Sequence, residues 1–216
     1  MPDFLQIPVR QYLDQLASGE PTPGGGSAAG LAGAMGAALL CMSARFTVGR
    51  EKYAQYAEAA EMVISVAEGL REKLQGLVEE DSAAYAQYRA ALAMPKSNDE
   101  EKAIRRQALQ AATKASALAP MAIARHCHQL LELAGTLAVN SNPNLVSDVA
   151  VATEMALGAF NSAVLNVRLN LKYLDDEAFV QQIATELAPL MSTAGKLAKS
   201  ALDAAYQVMN LSIEGV

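Results

Sequence analysis

Apolar residues recur along this chain at steps of three and four, and no window alternates apolar with polar as a half-buried strand does. The clearest run lies between Glu51 and Ala93, where Tyr53, Tyr56, Ala60, Val63, Ala67, Leu70, Leu74 and Leu77 form one stripe. That spacing predicts one long helix, or two nearly collinear ones if Gly69 or Gly76 interrupts. A shorter helix is predicted from about Pro8, with its proline in the first turn, to Ala17, stopped by Ser18-Gly19. Ser27 is placed as the N-cap of a second helix reaching about Val48, where Gly49 ends it. Met94-Pro95-Lys96 stops the long helix, and Ser97-Asn98-Asp99-Glu100 reads as a capping box for the next. That helix is expected to reach Val139 with a kink at Pro120. After the turn Asn140-Ser141-Asn142-Pro143-Asn144, a fifth helix runs to about Leu174. Asp175-Asp176-Glu177 then opens the last, which runs toward Leu211. Six helices with short loops and no linker predict an all-α fold, a single up-and-down bundle forming one domain over residues 1–216.

Composition sharpens this picture. Hydrophobic residues make up 52% of the 216 residues but aromatics only 5%, with no Trp, so Ala, Leu, Val and Met supply the core and favour closely packed helices. The net charge of −6 without a basic run argues against nucleic acid as a partner. Cys41 and Cys127 lie far apart and outside any metal-type cluster, which fits reduced, buried thiols. Met1-Pro2-Asp3-Phe4-Leu5-Gln6 lacks a basic segment followed by an apolar one, so a cytoplasmic location is expected. The uncharged run Pro21–Ala44 has membrane length. Its Pro/Gly start and Ala/Gly body point instead to a buried core helix, with no membrane partner expected.

Three stretches carry candidate chemistry. In Pro21-Thr22-Pro23-Gly24-Gly25-Gly26-Ser27, three glycines let backbone N–H groups approach a ligand at a helix N-terminus, which favours an anion. The same residues could equally be a flexible connector, and no strand precedes them, so a dinucleotide-binding reading fails. The following helix carries Gly30, Gly33, Ala34, Gly36, Ala37 and Ala38. Each mid-helix glycine costs roughly 1 kcal/mol relative to alanine. The series marks a close-packing seam, within the chain or between subunits. Ser162, Asn166 and Asn170 share one face of the fifth helix, either as a ligand-facing polar ladder or as an exposed or structural face. His126 and His128 flank Cys127 but point in different directions on a helix, so no metal site is expected. Asp81, after Glu79 and Glu80, reads by default as part of a solvated face.

Taken together, these stretches resemble the folate cyclodeaminase/cyclohydrolase family. The similarity rests on Pro21–Ser27 and the small-residue helix ending Arg45-Phe46-Thr47, on Glu80-Asp81-Ser82-Ala83-Ala84-Tyr85, Pro95-Lys96 and Pro120. It continues in Asn142-Pro143-Asn144-Leu145-Val146-Ser147-Asp148 and Asn166-Val167-Arg168-Leu169-Asn170-Leu171, and spans about Leu13 to Asp175. Arg45 departs from the asparagine many members carry, and Asn140-Ser141 from the usual glycine before the asparagine. The resemblance implies an all-α homodimer with a folate site near the subunit interface. It implies a reaction that forms or opens the methenyl bridge of tetrahydrofolate, either as cyclodeaminase or as cyclohydrolase. No metal is expected, nor a cofactor beyond the tetrahydrofolate-linked substrate, which can be polyglutamylated.

Within that reading Asp148 is the first candidate for the catalytic carboxylate and Asp81 the second. Gly24, Gly25, Gly26, Ser27, Asn142, Asn166 and Asn170 are candidates for binding. Lys52 or Arg45 would help the glycine turn receive the anionic glutamate tail. The competing readings are a non-catalytic folate-binding helical dimer and a structural adaptor.

Overall fold

Asn98 and Asp176 each cap the start of a helix by accepting a backbone N–H from its first turn. A computed structural model describes residues 4–211; Met1-Pro2-Asp3, part of the stretch inspected for a targeting signal, lies outside them. The α-helices are α1 (Val9–Leu16), α2 (Gly25–Arg45), α3 (Ala57–Leu92), α4 (Asp99–Val139), α5 (Val146–Leu171) and α6 (Glu177–Met209). Short 3-10 helices precede α3 (Glu51–Tyr56) and α5 (Pro143–Leu145), and no strand occurs among the described residues. Helix α3 runs through Gly69 and Gly76 without a break. The capping box sits one residue later than predicted. Asn98, and not Ser97, accepts from Glu101 N–H at 2.8 Å, while Glu101 Oε2 accepts from Ser97 N–H at 2.6 Å. Helices α5 and α6 stop short of Leu174 and Leu211, the latter at Asn210, whose φ of 53° ends the helix in the left-handed region.

The largest departure concerns α2. It starts at Gly25 with Gly24 as N-cap, so Ser27 lies inside the first turn, fully buried, and caps nothing. Its hydroxyl meets the Tyr12 hydroxyl of α1 at 3.2 Å, and its N–H is satisfied from a distant helix.

Helix α2 packs against α3 and α5 and also touches α4. A methyl group added at Gly30 would lie 3.3 Å from the Leu74 carbonyl, one at Gly36 3.2 Å from the Ala152 carbonyl, and one at Gly33 2.8 Å from Cys127 Sγ. The small-residue seam therefore works within the protomer, holding α2 antiparallel to α3 and α5 at backbone contact. By length and composition α2 could cross a membrane, yet it is the inner helix of this bundle. The core around it is mostly Leu, Val and Ala, with Phe160, Met121 and Ile123. Both cysteines are free and buried, and burial pushes the Cys127 thiol up to about 12.

Helix α4 continues through Pro120. Proline has no N–H, which leaves the carbonyl four residues earlier, that of Ser116, without its helical partner. Asn170 of α5 fills the gap, its Nδ2 donating to Ser116 O at 2.8 Å. Asn170→Leu is therefore expected to destabilise the protein by about 1–3 kcal/mol by leaving this partly buried carbonyl unpaired. Pro120→Ala, which restores an N–H at that level, should recover part of the loss. Chemical denaturation of the two single variants and the double variant measures it, and additive losses would refute the compensation.

Candidate functional site

The polar residues of α2, α3, α4 and α5 converge at one end of the bundle. There they line a cavity of about 350 Å³, between Pro21–Gly26, Asp81, Tyr85 and Tyr88 of α3, Thr113 and Ser116 of α4, and Asn166, Leu169, Asn170 and Tyr173.

Asp81 is its one carboxylate. The positions 81, 85 and 88 follow helical spacing, so the acid and two tyrosines lie along one face of α3. Asp81 Oδ2 accepts from Ser27 N–H at 3.0 Å, across 54 residues of sequence. The helix N-terminus that the glycine turn was expected to offer to a ligand anion thus already holds the protein's own carboxylate. Gly26 is what lets that carboxylate in: a Cβ there would stand 2.1 Å from Asp81 Oδ1. Burial raises the Asp81 carboxyl above the usual range, and the hydrogen bond from Ser27 only partly offsets it. Tyr12 and Phe4, with Val78 of α3, pack behind this corner and shield it from water.

The walls are aromatic and amide. Tyr85 and Tyr88 lie 6.3 Å apart between ring centroids at 34°, and Tyr173 faces the cavity from the end of α5. Asn166 Nδ2 donates back to Ser162 O at 3.0 Å, and Asn170 is held on Ser116 O. Ser116 Oγ is buried with no hydrogen-bond partner, a free polar group on the lining of the cavity. The expected polar face of α5 is therefore both structural and cavity-lining, whereas Ser162 turns its hydroxyl to Gly158 O.

Gly24, Gly25, Gly26, Asp81, Asn166 and Asn170 come together here, and Ser27 stands immediately behind them. Asp148, Asn142 and Lys52 do not join them within one protomer. Asp148 is half-buried in the first turn of α5, 18 residues before Asn166 and so about 27 Å away along the helix. Asn142 belongs to the far end of the bundle. Its N–H donates to Thr47 Oγ1 at 2.9 Å and its Oδ1 accepts from Asn144 N–H at 3.1 Å, tying the turn before α5 to the end of α2. Arg45, the last residue of α2 and about 30 Å from the glycine turn along that helix, pairs with Glu68 at 2.5 Å, and Lys52, beyond the end of α2, lies over the Tyr53 ring. The expected cationic help for that turn is absent from the same chain's cavity. His126 and His128 turn to separate partners, Gln129 and Thr193.

Sequence reasoning missed Tyr88, Thr113, Ser116, Leu169 and Tyr173. Only Tyr88 had a visible signal, its place one turn beyond Asp81 and Tyr85 on the α3 stripe.

Residues 8–189 match the family model described as formiminotransferase-cyclodeaminase. A methenyltetrahydrofolate cyclohydrolase of Methylorubrum extorquens is 41% identical over 189 residues, covering 88% of this chain and 91% of the relative. A formimidoyltransferase-cyclodeaminase of Sus scrofa is 31% identical over 200 residues; these cover 93% of this chain but only 37% of that longer protein. The solved formiminotetrahydrofolate cyclodeaminase of Thermotoga maritima superimposes with a TM-score of 0.84 at 28% identity, covering 95% of this chain and 98% of that one.

Proposed function

Since the chain belongs to the formiminotransferase-cyclodeaminase family, we propose that its cavity acts on the methenyl bridge of tetrahydrofolate, opening it with water as a cyclohydrolase. The observation that carries this reading is Asp81, a shielded carboxylate in a cavity walled by tyrosines and amides. The likeness at 41% identity to a relative of nearly the same extent favours the cyclohydrolase direction.

The substrate is a flat, fused ring carrying positive charge on the bridge carbon. A carboxylate removed from water attracts such a cation more strongly than an exposed one does. Tyr85, Tyr88 and Tyr173 offer faces against which flat rings pack. Asp81 accepts a proton from the water that adds to the bridge carbon. It then returns that proton to the pteridine-ring nitrogen as the carbon–nitrogen bond breaks, leaving the formyl group on the aryl amine. The second proton of the water leaves as the carbinol closes to the formyl carbonyl. Ser27 N–H and the close fit at Gly26 keep the carboxylate in one position, so no reorientation precedes the step. Ser116 Oγ and the Asn166 and Asn170 amides are placed to hydrogen-bond the polar edge of the ring. Nothing is oxidised or reduced, so the chemistry calls for no redox group.

The cyclodeaminase reaction is the second reading, favoured by the fold of the Thermotoga maritima enzyme. There the aryl amine attacks a formimino carbon, ammonia leaves, and the same cation results. We extend the proposal to a homodimer in the cytoplasm using polyglutamylated folates. Methenyl absorbance separates the readings. Purified protein given methenyl-tetrahydrofolate should accelerate its loss, whereas a cyclodeaminase given formimino-tetrahydrofolate would build the absorbance up with release of ammonia. Binding of methenyl-tetrahydrofolate with neither change would leave a non-catalytic folate binder.

A further inference from the structure

Between Leu5 and Thr22 the chain buries a single side chain, that of Tyr12 in α1. Just ahead of this stretch Phe4 is buried as well, and the two rings meet edge to face, 6.1 Å apart at 83°. Phe4 N–H donates to Glu79 of α3. With Val78 the two aromatics form a small core of their own, closed at its edges by Ile7, Leu16 and Leu31 and separate from the one inside the bundle. Two buried rings thus pin an otherwise exposed segment to one place, and that place is the back of Asp81.

The connection is direct. Tyr12 and Ser27 meet through their hydroxyls at 3.2 Å, and Ser27 N–H donates to Asp81 Oδ2 at 3.0 Å. Neither Tyr12 nor Phe4 lines the cavity, so a ligand would approach Asp81 from the front and touch neither ring. The titratable groups around the carboxylate are Tyr12 from α1, Glu79, Tyr85 and Tyr88 from α3 itself, and Tyr173 across the cavity. From α2 and α4 only neutral groups reach it, and no cation lines the cavity or the small core behind it. With no opposite charge at hand, exclusion of water dominates the behaviour of this carboxyl and raises it above the usual range.

We propose that Tyr12 is a positioning residue for Asp81: with Phe4 it forms a back wall that keeps water from the carboxylate and holds Ser27, and through Ser27 the carboxylate, in place. The proposal rests on Asp81 being the acid–base group of the folate reading. Loss of the wall admits water behind Asp81 and slackens its anchor at the head of α2. The carboxylate then becomes a weaker base in a less fixed position, while the surface that meets the ligand stays as it was.

The wall is tested first without substrate. Isotope-edited NMR of the aspartate carboxyls, with Asp81 assigned through Asp81→Asn, follows its titration. In Tyr12→Ala that titration should move down toward an exposed aspartate's, and in Phe4→Ala part of the way. Tyr12→Phe keeps the ring and should keep the titration. Ile183→Val, which trims the main core, should lower the melting temperature and leave the titration alone. With methenyl-tetrahydrofolate, Tyr12→Ala should lose about tenfold in kcat at neutral pH while KM stays within about twofold. Its acid limb should move down with the carboxyl. An unchanged Asp81 titration in folded Tyr12→Ala overturns the proposal, as does a shift in Tyr12→Phe as large as alanine's. A raised KM with kcat intact overturns it too. If Tyr12→Ala does not fold, Phe4→Ala decides by the same criteria. If the parent shows no folate turnover, the proposed function fails while the carboxyl titrations still decide the wall.

Discussion

Asp81→Asn is expected to lower turnover by about a hundredfold or more, the scale of a lost acid–base group. Asparagine can still accept the Ser27 N–H through its Oδ1, so the anchor at the head of α2 survives while the charge goes. A carboxylate that merely capped α2 would be replaced without consequence, because asparagine caps about as well as aspartate. Stability separates the two roles further. Burial raises the Asp81 carboxyl pKa in the folded state, so the folded chain favours the neutral acid. Its stabilising contribution is therefore present in acid, below the ordinary carboxyl value, and is lost as pH rises through the raised value. The asparagine variant escapes that cost. At neutral pH it should melt no lower than the parent, and any advantage should shrink as the pH is brought down. The parent's activity should fall on the acid side with a limb displaced upward from that of an ordinary aspartate. Turnover within a few-fold of the parent would remove Asp81 from the chemistry.

Gly26→Ala should cost nearly as much activity without touching the carboxylate. The added methyl would stand 2.1 Å from Asp81 Oδ1 and 2.4 Å from its Cγ, so the side chain must swing out and give up Ser27 N–H. Alanine's better helix propensity offers about 1 kcal/mol. Overpacking takes back about 1–3 kcal/mol, so the melting temperature should fall modestly. Turnover should drop by at least tenfold, since misplacing a reacting group by about 1 Å can already cost about a hundredfold. Gly69→Ala is the control. Its Cβ meets nothing within 4 Å, so that variant should keep its activity and be slightly stabilised. Equal behaviour of the two alanine variants would show that the fit between Gly26 and Asp81 has no functional weight.

The helices were readable because three-and-four spacing depends only on which face each residue presents. Their ends were less so. Ser27 has the chemistry of an N-cap, but the first turn of α2 is satisfied by a carboxylate 54 residues further on. No local rule could place the start of α2 at Gly25. Asp81 was hidden in an acidic run for the same reason, as nothing near it in sequence shows that Gly26 makes room for it. Thr113 and Ser116 reach the cavity from α4 and Tyr173 from just beyond α5, segments whose proximity is a product of packing. The distance between Asp148 and Asn166 was legible, since both lie on one helix of known rise. Within one chain that distance already separates the two motifs.

The glycine seam of α2 also bears on how this sequence can vary over time. In the leucine-rich core, a side chain that grows can be accommodated by a neighbour that shrinks, because volume is shared among many partners. At Gly30 and Gly36 the neighbours are the backbone carbonyls of Leu74 and Ala152, which cannot be made smaller. Nor is any residue smaller than glycine available there. Compensating pairs of substitutions are therefore closed to the seam, and drift in this fold should pass through its leucines and leave the axis of α2 where it is.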